Sequence, residues 1–226
     1  MSTNYDSDKN KLKQKLRFSL SFEPDYWHML IIFGIHTTAQ FCVTYFLLNK
    51  LPKSSLAQMP LPISFEATQV CAEILQSLVS TNRTDIYVLL LSSVLYCQLW
   101  FIPLTWVFAL LCGACMPSII VSCGSTHLIN IIGVTCNFHL SKIFLTKLIS
   151  KSERMQAHLS QIETRLTLMG SGQIVFGMIS LRIFPGSPNP LYNILFPHIP
   201  SITLKQNLIG VLVGQLPYNL CVVKAG

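Results

Sequence analysis

Three long apolar segments, separated by stretches that contain charged residues, make up most of this 226-residue chain. The first, Trp27 to Leu48, is as long as the run of about 20 apolar residues that spans a bilayer as a helix. The second, Ile86 to Ser141, contains no Asp, Glu, Lys or Arg and is longer than two such spans. The third runs from Leu166 to Gly226. The pattern predicts an all-α polytopic membrane protein.

Composition supports this class and argues against others. Hydrophobic residues make up 51% of the chain, charged residues 11%, and the mean hydropathy is +0.51, which is too apolar for an ordinary soluble domain. The net charge of +7 comes from basic residues beside the apolar segments. No motif of interleaved basic and aromatic residues is present, so we predict no nucleic-acid partner. The eight cysteines lie scattered in apolar segments, which indicates packing rather than a disulfide framework.

Charge also predicts the orientation of the first segments. Residues 1–26 carry five closely spaced basic residues, so the positive-inside rule predicts a cytoplasmic N-terminal tail. Residues 27–48 then form an uncleaved transmembrane anchor, because no small-residue cleavage site follows them. Residues 49–85 become a luminal loop with an interfacial helix. Asn82, in the triplet Asn-Arg-Thr, is a candidate glycosylation acceptor, and the sequence leaves its use open.

The second apolar segment has to cross the membrane an odd number of times. Residues 142–169 are rich in basic residues and amphipathic, which predicts a cytoplasmic linker on the membrane surface. A re-entrant hairpin at about 96–117 followed by a span at about 118–140 satisfies both length and orientation. Pro103 is expected to open that hairpin, and Gly113 is expected to help end it.

The third apolar segment is broken by prolines. A helix that starts at Gly170 and Gly172 and ends near Phe184 is too short to span the bilayer. The prolines after it prevent its continuation, which predicts a re-entrant segment at about 171–196. A span at about 202–223 follows, with Pro217 tolerated near its end.

These residues resemble a known family. The resemblance is carried by the run Leu181 to Pro185, by Pro188, Asn189, Asn193 and Pro197, by the run Gly214 to Asn219, and by Gly226; upstream it is supported by Ile102, Pro103, Gly113, Ala114, Gly133, Thr135 and Cys136. Together they resemble the VTT domain of the DedA and SNARE-associated Golgi protein superfamily, closest to its eukaryotic transmembrane-protein-forty-one branch. The resemblance covers residues 86–226. Leu104 and Pro117 stand where the family has glycines, and the family continues beyond Gly226 into one more helix, so we expect the chain to be truncated.

The resemblance implies a fold with two inverted re-entrant helical hairpins in a multi-pass protein of the endoplasmic reticulum, or of the Golgi. It implies ATP-independent movement of phospholipids between leaflets, serving membrane biogenesis, autophagy or lipoprotein export. The expected partners are membrane phospholipids, with a homo-oligomer or other membrane proteins as further partners. The candidate residues of the lipid path and its re-entrant segments are Pro103, Gly113, Arg182, Pro185, Pro188, Asn189, Asn193, Gly214, Pro217 and Asn219.

Arg182 raises a question of partners. An arginine at mid-depth costs about 2.5–3.5 kcal/mol on insertion scales and normally has a partner. The only carboxylates after Asp85 are Glu153 and Glu163, both in the predicted linker. The remaining partners are the carbonyls that end its own helix or a lipid phosphate. The alternative is that Arg182 caps the helix and extends to the interface.

Asparagines near the breaks also have two interpretations. A headgroup could pass along Asn189, Asn193 and Asn219, or these side chains could cap a turn and bond neighbouring helices.

The functional alternatives differ in how transport is driven. Ion-coupled transporters use an ionisable group inside the membrane, usually a carboxylate. The apolar segments of this sequence contain no carboxylate, which favours passive movement. An ion-coupled secondary transporter of the DedA type and a trafficking or scaffold protein stay as alternatives. The histidines have no metal-ligand spacing and no catalytic motif is present, so we predict no enzyme activity, metal or cofactor.

Overall fold

The computed structural model describes residues 24–62, 64–184 and 189–226 of the chain. The charged tail before residue 24 and the candidates Pro185 and Pro188 lie outside the described residues. Within the described residues the regular structure is helical throughout. In chain order the helices are α1 (Pro24–Leu48), α2 (Lys53–Ala57), α3 (Phe65–Leu99), α4 (Thr105–Cys115), α5 (Ile119–Lys151), α6 (Glu153–Thr167), α7 (Ser171–Ile183), α8 (Asn189–Leu195), a 3₁₀ turn (Phe196–His198), α9 (Leu204–Gly214) and α10 (Leu216–Ala225).

Three stretches are helical, long and apolar enough to cross a membrane: Trp27–Leu48, Ile119–Lys151 and Leu204–Ala225, with mean hydropathies of 1.5, 1.6 and 1.5. Two shorter apolar helices, α4 and α7, are below spanning length. The prediction of an all-α membrane protein is confirmed at this level. The half-length helix expected to end near Phe184 is also confirmed, because α7 ends at Ile183.

The chain divides into two units, Met1–His36 and Thr37–Gly226. The described part of the first unit is the beginning of α1, whose side chains there are largely exposed. The second unit contains the other elements and two apolar clusters. One cluster centres on α3 and α4, with Ile86, Val94 and Val107 completely or almost completely buried. The other joins α6, α7 and the 3₁₀ turn through Leu159, Ile174, Met178 and Phe196, among others.

Polar residues at the helix ends explain where several helices begin. The side chains of Ser64, Ser118 and Ser152 accept bonds from the backbone amides three residues ahead, at 3.2–3.3 Å. Thr203 and Gln206 form a reciprocal capping box at the start of α9. Each cap satisfies a backbone donor that the first helical turn leaves without a partner.

The turn between α3 and α4 closes a helical hairpin around Pro103. Phe101 adopts a left-handed backbone conformation with φ 56°, and the amide of Ile102 donates to the carbonyl of Cys97 at 2.9 Å. This is the bond that terminates a helix in the Schellman motif. The carbonyl of Gln98 accepts a hydrogen bond from the side-chain amide of Asn137 at 2.6 Å. This bond connects the turn to α5.

The helix ends differ from several of the predicted divisions. The predicted division between residues 85 and 86 lies close to a break within α3, where Asn82 has non-helical backbone angles between two helical stretches. The predicted span at 118–140 and the start of the linker form one helix, α5, which ends only before the cap residue Ser152. The predicted span at 202–223 agrees with the apolar helical stretch Leu204–Ala225, which bends at Gln215 because Pro217 has no amide to donate to the carbonyl four residues earlier.

Candidate functional site: a polar cavity between two helix breaks

The guanidinium of Arg182 lies inside the protein, in the last turn of α7, and the side chain is 0% exposed. Three amide oxygens accept from it: Asn189 Oδ1 at 3.4 Å, Asn193 Oδ1 at 2.9 Å and Asn207 Oδ1 at 2.8 Å. The ring of Phe196 lies 5.7 Å from the guanidinium carbon, within the range of a cation–π contact. Uncharged oxygens and one aromatic face therefore replace the missing carboxylate.

Helix α9 comes close enough to hold Arg182 because it presents glycines. A Cβ on Gly214 would lie 2.7 Å from Arg182 Cβ and 2.9 Å from the carbonyl oxygen of Ile179. A Cβ on Gly210, one turn earlier, would lie 3.0 Å from Met178 Cβ. Small residues at this four-residue spacing let two helices approach closely. Gly214 is thus a packing position between α9 and α7.

These contacts change the expectation for Arg182. Its described partners are the side-chain oxygens of Asn189, Asn193 and Asn207, rather than the carbonyls of its own helix or a lipid phosphate. The interpretation as a cap that extends to the interface was wrong, since the side chain is fully buried. Direct contact with a headgroup is also excluded in this conformation for the same reason.

Sequence reasoning missed Asn207, which follows the polar residues Lys205 and Gln206 in the first turn of α9 and is fully buried.

A second polar cluster joins α5 to α10. The Nε2 atom of His127 lies 3.1 Å from the carbonyl oxygen of Leu212, and its Nδ1 atom lies 2.9 Å from Asn219 Nδ2. Asn130 Nδ2 donates to Asn219 Oδ1 at 3.4 Å, while Asn130 Oδ1 is buried without a partner. The side chains of His127, Asn130 and Asn219 are 9%, 6% and 3% exposed. Buried polar atoms normally have partners, and Asn130 Oδ1 is one of six buried side-chain atoms without one among the described residues.

A cavity of about 220 Å³ lies beside both clusters. Its wall includes the α3–α4 turn with Pro103, Asn189 at the start of α8, and Gln215 at the interruption between α9 and α10. The other polar side chains in the wall are Gln98, Thr105, Asn130, Tyr218 and Asn219. Two helix breaks, the α3–α4 turn and the break before α8, therefore meet at one cavity with the proline bend between α9 and α10. Asn189 belongs to both the cavity wall and the contacts of Arg182.

The structure brings together some of the predicted candidates and separates others. Pro103, Asn189 and Asn219 line the cavity, whereas Asn193 and Arg182 lie behind it. Pro217 is exposed in the first turn of α10.

Gly113 was predicted to help end the hairpin, but it lies inside α4. A Cβ there would come 2.0 Å from the carbonyl oxygen of Val223, so Gly113 permits close packing of α4 on α10.

The sequence predicts a luminal location for Asn82 and leaves its glycosylation open. The structure places Asn82 at the kink of α3, half-buried, with its side-chain amide donating to Thr81 Oγ1 at 2.9 Å. Its backbone angles, φ −127° and ψ 35°, are non-helical, so the acceptor lies at a break between two helical stretches.

Hydrogen bonds join residues 194–201 to α5 and α6. Glu163 on α6 accepts from the backbone amide and the hydroxyl of Ser201, at 3.1 and 2.5 Å. His198 Nε2 lies 3.0 Å from the hydroxyl of Ser141, which itself donates to the carbonyl of Ile194 at 2.8 Å. Burial, together with the positive charge of Lys142, lowers the pKa of His198.

Comparison with known proteins adds no identity. No family model matches the chain, and no solved structure matches it. Within residues 24–62, 64–184 and 189–226, no three histidine, cysteine, aspartate or glutamate side chains are grouped so that they could hold a metal ion. The class that the fold defines is an all-helical membrane protein.

Proposed function

We propose that this chain is an ATP-independent phospholipid scramblase of the endoplasmic reticulum membrane, with a VTT-like fold. The observation that carries the proposal is the cavity where two helix breaks meet, at Pro103 and at Asn189, beside the proline bend at Gln215. Discontinuous helices that meet at one site are the best structural pointer to a transport path in membrane proteins. The α3–α4 hairpin and the α7–α8 segment would be the two re-entrant elements.

The chemistry of the cavity suits a headgroup. Moving a charged group into hydrocarbon without partners costs several kcal/mol, and most of that cost is removed where polar side chains replace water. The amides of Gln98, Asn130, Gln215 and Asn219 offer such partners next to apolar helices. Acyl chains would stay outside in the lipid while the headgroup passes the amides.

Arg182 has a supporting role in this proposal. Its guanidinium donates to Asn189 Oδ1 at 3.4 Å, so it orients one amide of the cavity wall from behind. It would act as a positioning residue rather than as a phosphate ligand.

One observation favours a second candidate, ion-coupled transport. His127 is an ionisable side chain inside the Ile119–Lys151 stretch, and it is bonded to the cavity residue Asn219. Carboxylates are not the only groups that can carry a coupling proton, and the imidazole of His127 is another. Proton coupling through a buried histidine is physically reasonable.

Reconstitution into liposomes separates the candidates. The purified chain would be inserted into vesicles that contain a fluorescent phospholipid, and a membrane-impermeant reductant would be added outside. A scramblase brings inner-leaflet lipid to the reductant without ATP, so the protected fluorescence disappears. Movement that requires a proton gradient would favour the ion-coupled transporter. Fully protected inner-leaflet fluorescence with correctly folded protein would contradict the proposal and favour a scaffold role.

A further inference from the structure

We propose that a second, apolar pocket between α1, α3 and α4 binds one acyl chain of a resident membrane phospholipid. This pocket has a volume of about 470 Å³ and shares only Ile102 with the wall of the polar cavity. The inference does not rest on the proposed function, because a resident lipid can stabilise the packing of helices whether or not the protein moves other lipids between leaflets.

The pocket lies beside the second half of α1, in the stretch Trp27–Leu48 that is long and apolar enough to cross a membrane. Residues 37–48 of α1 come close to the backbones of the other described helices at few points. A long side chain makes a connection instead, since the amide nitrogen of Gln40 donates to Ser92 Oγ on α3 at 3.3 Å. The pocket thus lies between this part of α1 and the α3–α4 hairpin.

The hydroxyl and amide side chains in the wall bond to other protein groups. Thr37 Oγ1 lies 3.0 Å from Tyr96 Oη, and the amide nitrogen of Gln40 donates to Ser93 Oγ and to Thr44 Oγ1, both at 3.4 Å. The hydroxyl of Ser93 donates in turn to a backbone carbonyl one turn earlier, at 2.7 Å. The wall contains no Asp, Glu, Lys, Arg or His. A buried water needs about two to four polar partners, so this wall suits hydrocarbon better than water or a headgroup.

The pocket reaches the surface of the protein at an apolar rim. Phe41, Leu61 and Leu104 lie in the wall and are exposed, whereas Leu75 and Leu90, deeper in the wall, are buried. Phe41 belongs to a spanning stretch, where exposed apolar side chains face the acyl chains of the bilayer. One lipid chain can therefore enter past the rim while the headgroup and the other chain stay outside.

Size distinguishes the apolar occupants that the pocket can hold. An apolar cavity of about 150 Å³ is enough for benzene, so 470 Å³ suits by proportion a chain of about 16–18 carbons. A sterol has roughly half as many carbons again and would overfill the pocket. A helix is about 10–12 Å wide with its side chains, so a single turn takes up about 400–600 Å³. The pocket therefore fits an acyl chain and is too small for a spanning helix of a partner or of a second copy.

Photochemical labelling of the full chain tests this inference directly. The probe is a phosphatidylcholine with a diazirine in the middle of one acyl chain, added in increasing amounts to the purified protein in detergent micelles. Illumination forms a carbene that inserts into a nearby C–H bond, and mass spectrometry of peptides locates the label. We expect saturable labelling of residues 89–97, which line the pocket from α3, and competition by unlabelled phosphatidylcholine. Labelling that never saturates and only follows exposed apolar surface would overturn the inference, whatever any variant shows.

Thr44→Trp should block the pocket, because an indole in the wall would occupy space that the acyl chain needs. Overpacking of this kind should lower the labelling of residues 89–97 about tenfold. The matched control is Thr38→Trp, since Thr38 is exposed on the same helix and does not line the pocket. The control should be labelled like wild type. Full labelling in folded Thr44→Trp, or its loss in both variants, would contradict the assignment.

Two further arms separate the occupants and the two proposals. A sterol that carries the same diazirine should label residues 89–97 more weakly than the phospholipid, and stronger labelling by the sterol would overturn the assignment to an acyl chain. Lipid exchange in vesicles is an independent readout. Saturable labelling without exchange would support the pocket and contradict the proposed function. Exchange by a protein whose pocket takes no label would contradict only the inference made here.

Discussion

A buried guanidinium surrounded by neutral oxygens is the residue-scale feature on which the local fold depends. Arg182 is completely buried, yet its described contacts include no carboxylate. Hydrogen bonds to a charged group are stronger than those between neutral groups, so each asparagine oxygen contributes more than an ordinary buried amide. The Nε atom of Arg182 has no partner, so losing one of the three oxygens would leave the charge still less compensated.

Asn207→Leu should therefore destabilise the protein by about 1.5–3 kcal/mol, the worth of a hydrogen bond to a charged group. Asn207 Oδ1 lies 2.8 Å from Arg182 NH2, the shortest of the three contacts. The matched control is Asn137→Leu, which removes a bond to a neutral backbone carbonyl and should cost about 1 kcal/mol. The free energy of unfolding of both variants is measured in detergent, with denaturant or heat used to unfold the protein. A variant at 207 no less stable than the control would contradict the role given to these oxygens.

The pKa of His198 predicts how stability changes with pH. Burial and the charge of Lys142 lower this pKa in the folded state below the ordinary value of about 6.5. The unfolded chain then binds a proton that the folded chain does not, so this contribution to stability is present above about pH 6.5 and is lost as the pH falls below it. His198→Gln should make the melting temperature less sensitive to acid between pH 7 and pH 5. An unchanged pH profile in the variant would show that other groups cause the acid sensitivity.

Single residues also show the limit of prediction from sequence. The sequence predicted that Arg182 needs a polar partner, because it is an arginine in an apolar segment. It also predicted that the partner is not a carboxylate, because the nearby sequence has none. The identity of the partners was not predictable, since Asn207 is 25 residues away and only the packing of α9 on α7 brings it to the guanidinium. Likewise, His127 and Asn219 are 92 residues apart, and no local pattern indicates their contact.

Packing of α9 against α7 is the element-scale interaction that brings Asn207 to Arg182. It depends on the absence of a side chain at Gly210 and Gly214. Helix α4 approaches α10 in a similar way through Gly113. Both contacts are tighter than larger residues would allow.

Gly214→Ala should cost about 1–3 kcal/mol, because the new methyl group would overlap Arg182 Cβ and the Ile179 carbonyl. Gly177→Ala, inside α7, is the matched control, since nothing lies within 4 Å of a Cβ built there. Alanine is the better helix former by about 1 kcal/mol, so the control should be neutral or more stable. The same unfolding assay in detergent compares the two. If both variants behave alike, close packing at Gly214 is not important for stability.

Element existence was easier to predict than element boundaries. The length of α7 followed from the prolines after it, which remove backbone donors wherever they occur. The helical structure of residues 83–85, directly after the break at Asn82, did not follow, because a charged stretch resembles a loop in sequence although charges are compatible with a helix. The side chain of Asp85 in that stretch lies 3.0 Å from the ammonium of Lys50, which secures the helix to the preceding connection.

On the scale of the whole molecule, the sequence predicted the class, and the structure shows the cavity that is the candidate site. Apolar composition and segment length were enough to predict an all-helical membrane protein with spanning helices. The cavity was beyond prediction, because its wall combines positions from 98 to 219. Its polar character depends on side chains that converge only after the helices pack. The family resemblance and the scramblase function stay predictions.

The central claim is that phospholipid headgroups pass through the cavity beside Asn130. Thr105 lies in its wall at the start of α4, and a tryptophan there would fill the space. Thr135→Trp provides a matched control, because Thr135 is half-buried on α5 outside the cavity wall.

The deciding measurement is the rate of lipid exchange in vesicles that contain wild type, Thr105→Trp or Thr135→Trp, each shown to be folded. The account predicts rapid exchange for wild type and Thr135→Trp and a strong loss for Thr105→Trp. Exchange as fast in folded Thr105→Trp as in wild type would contradict it.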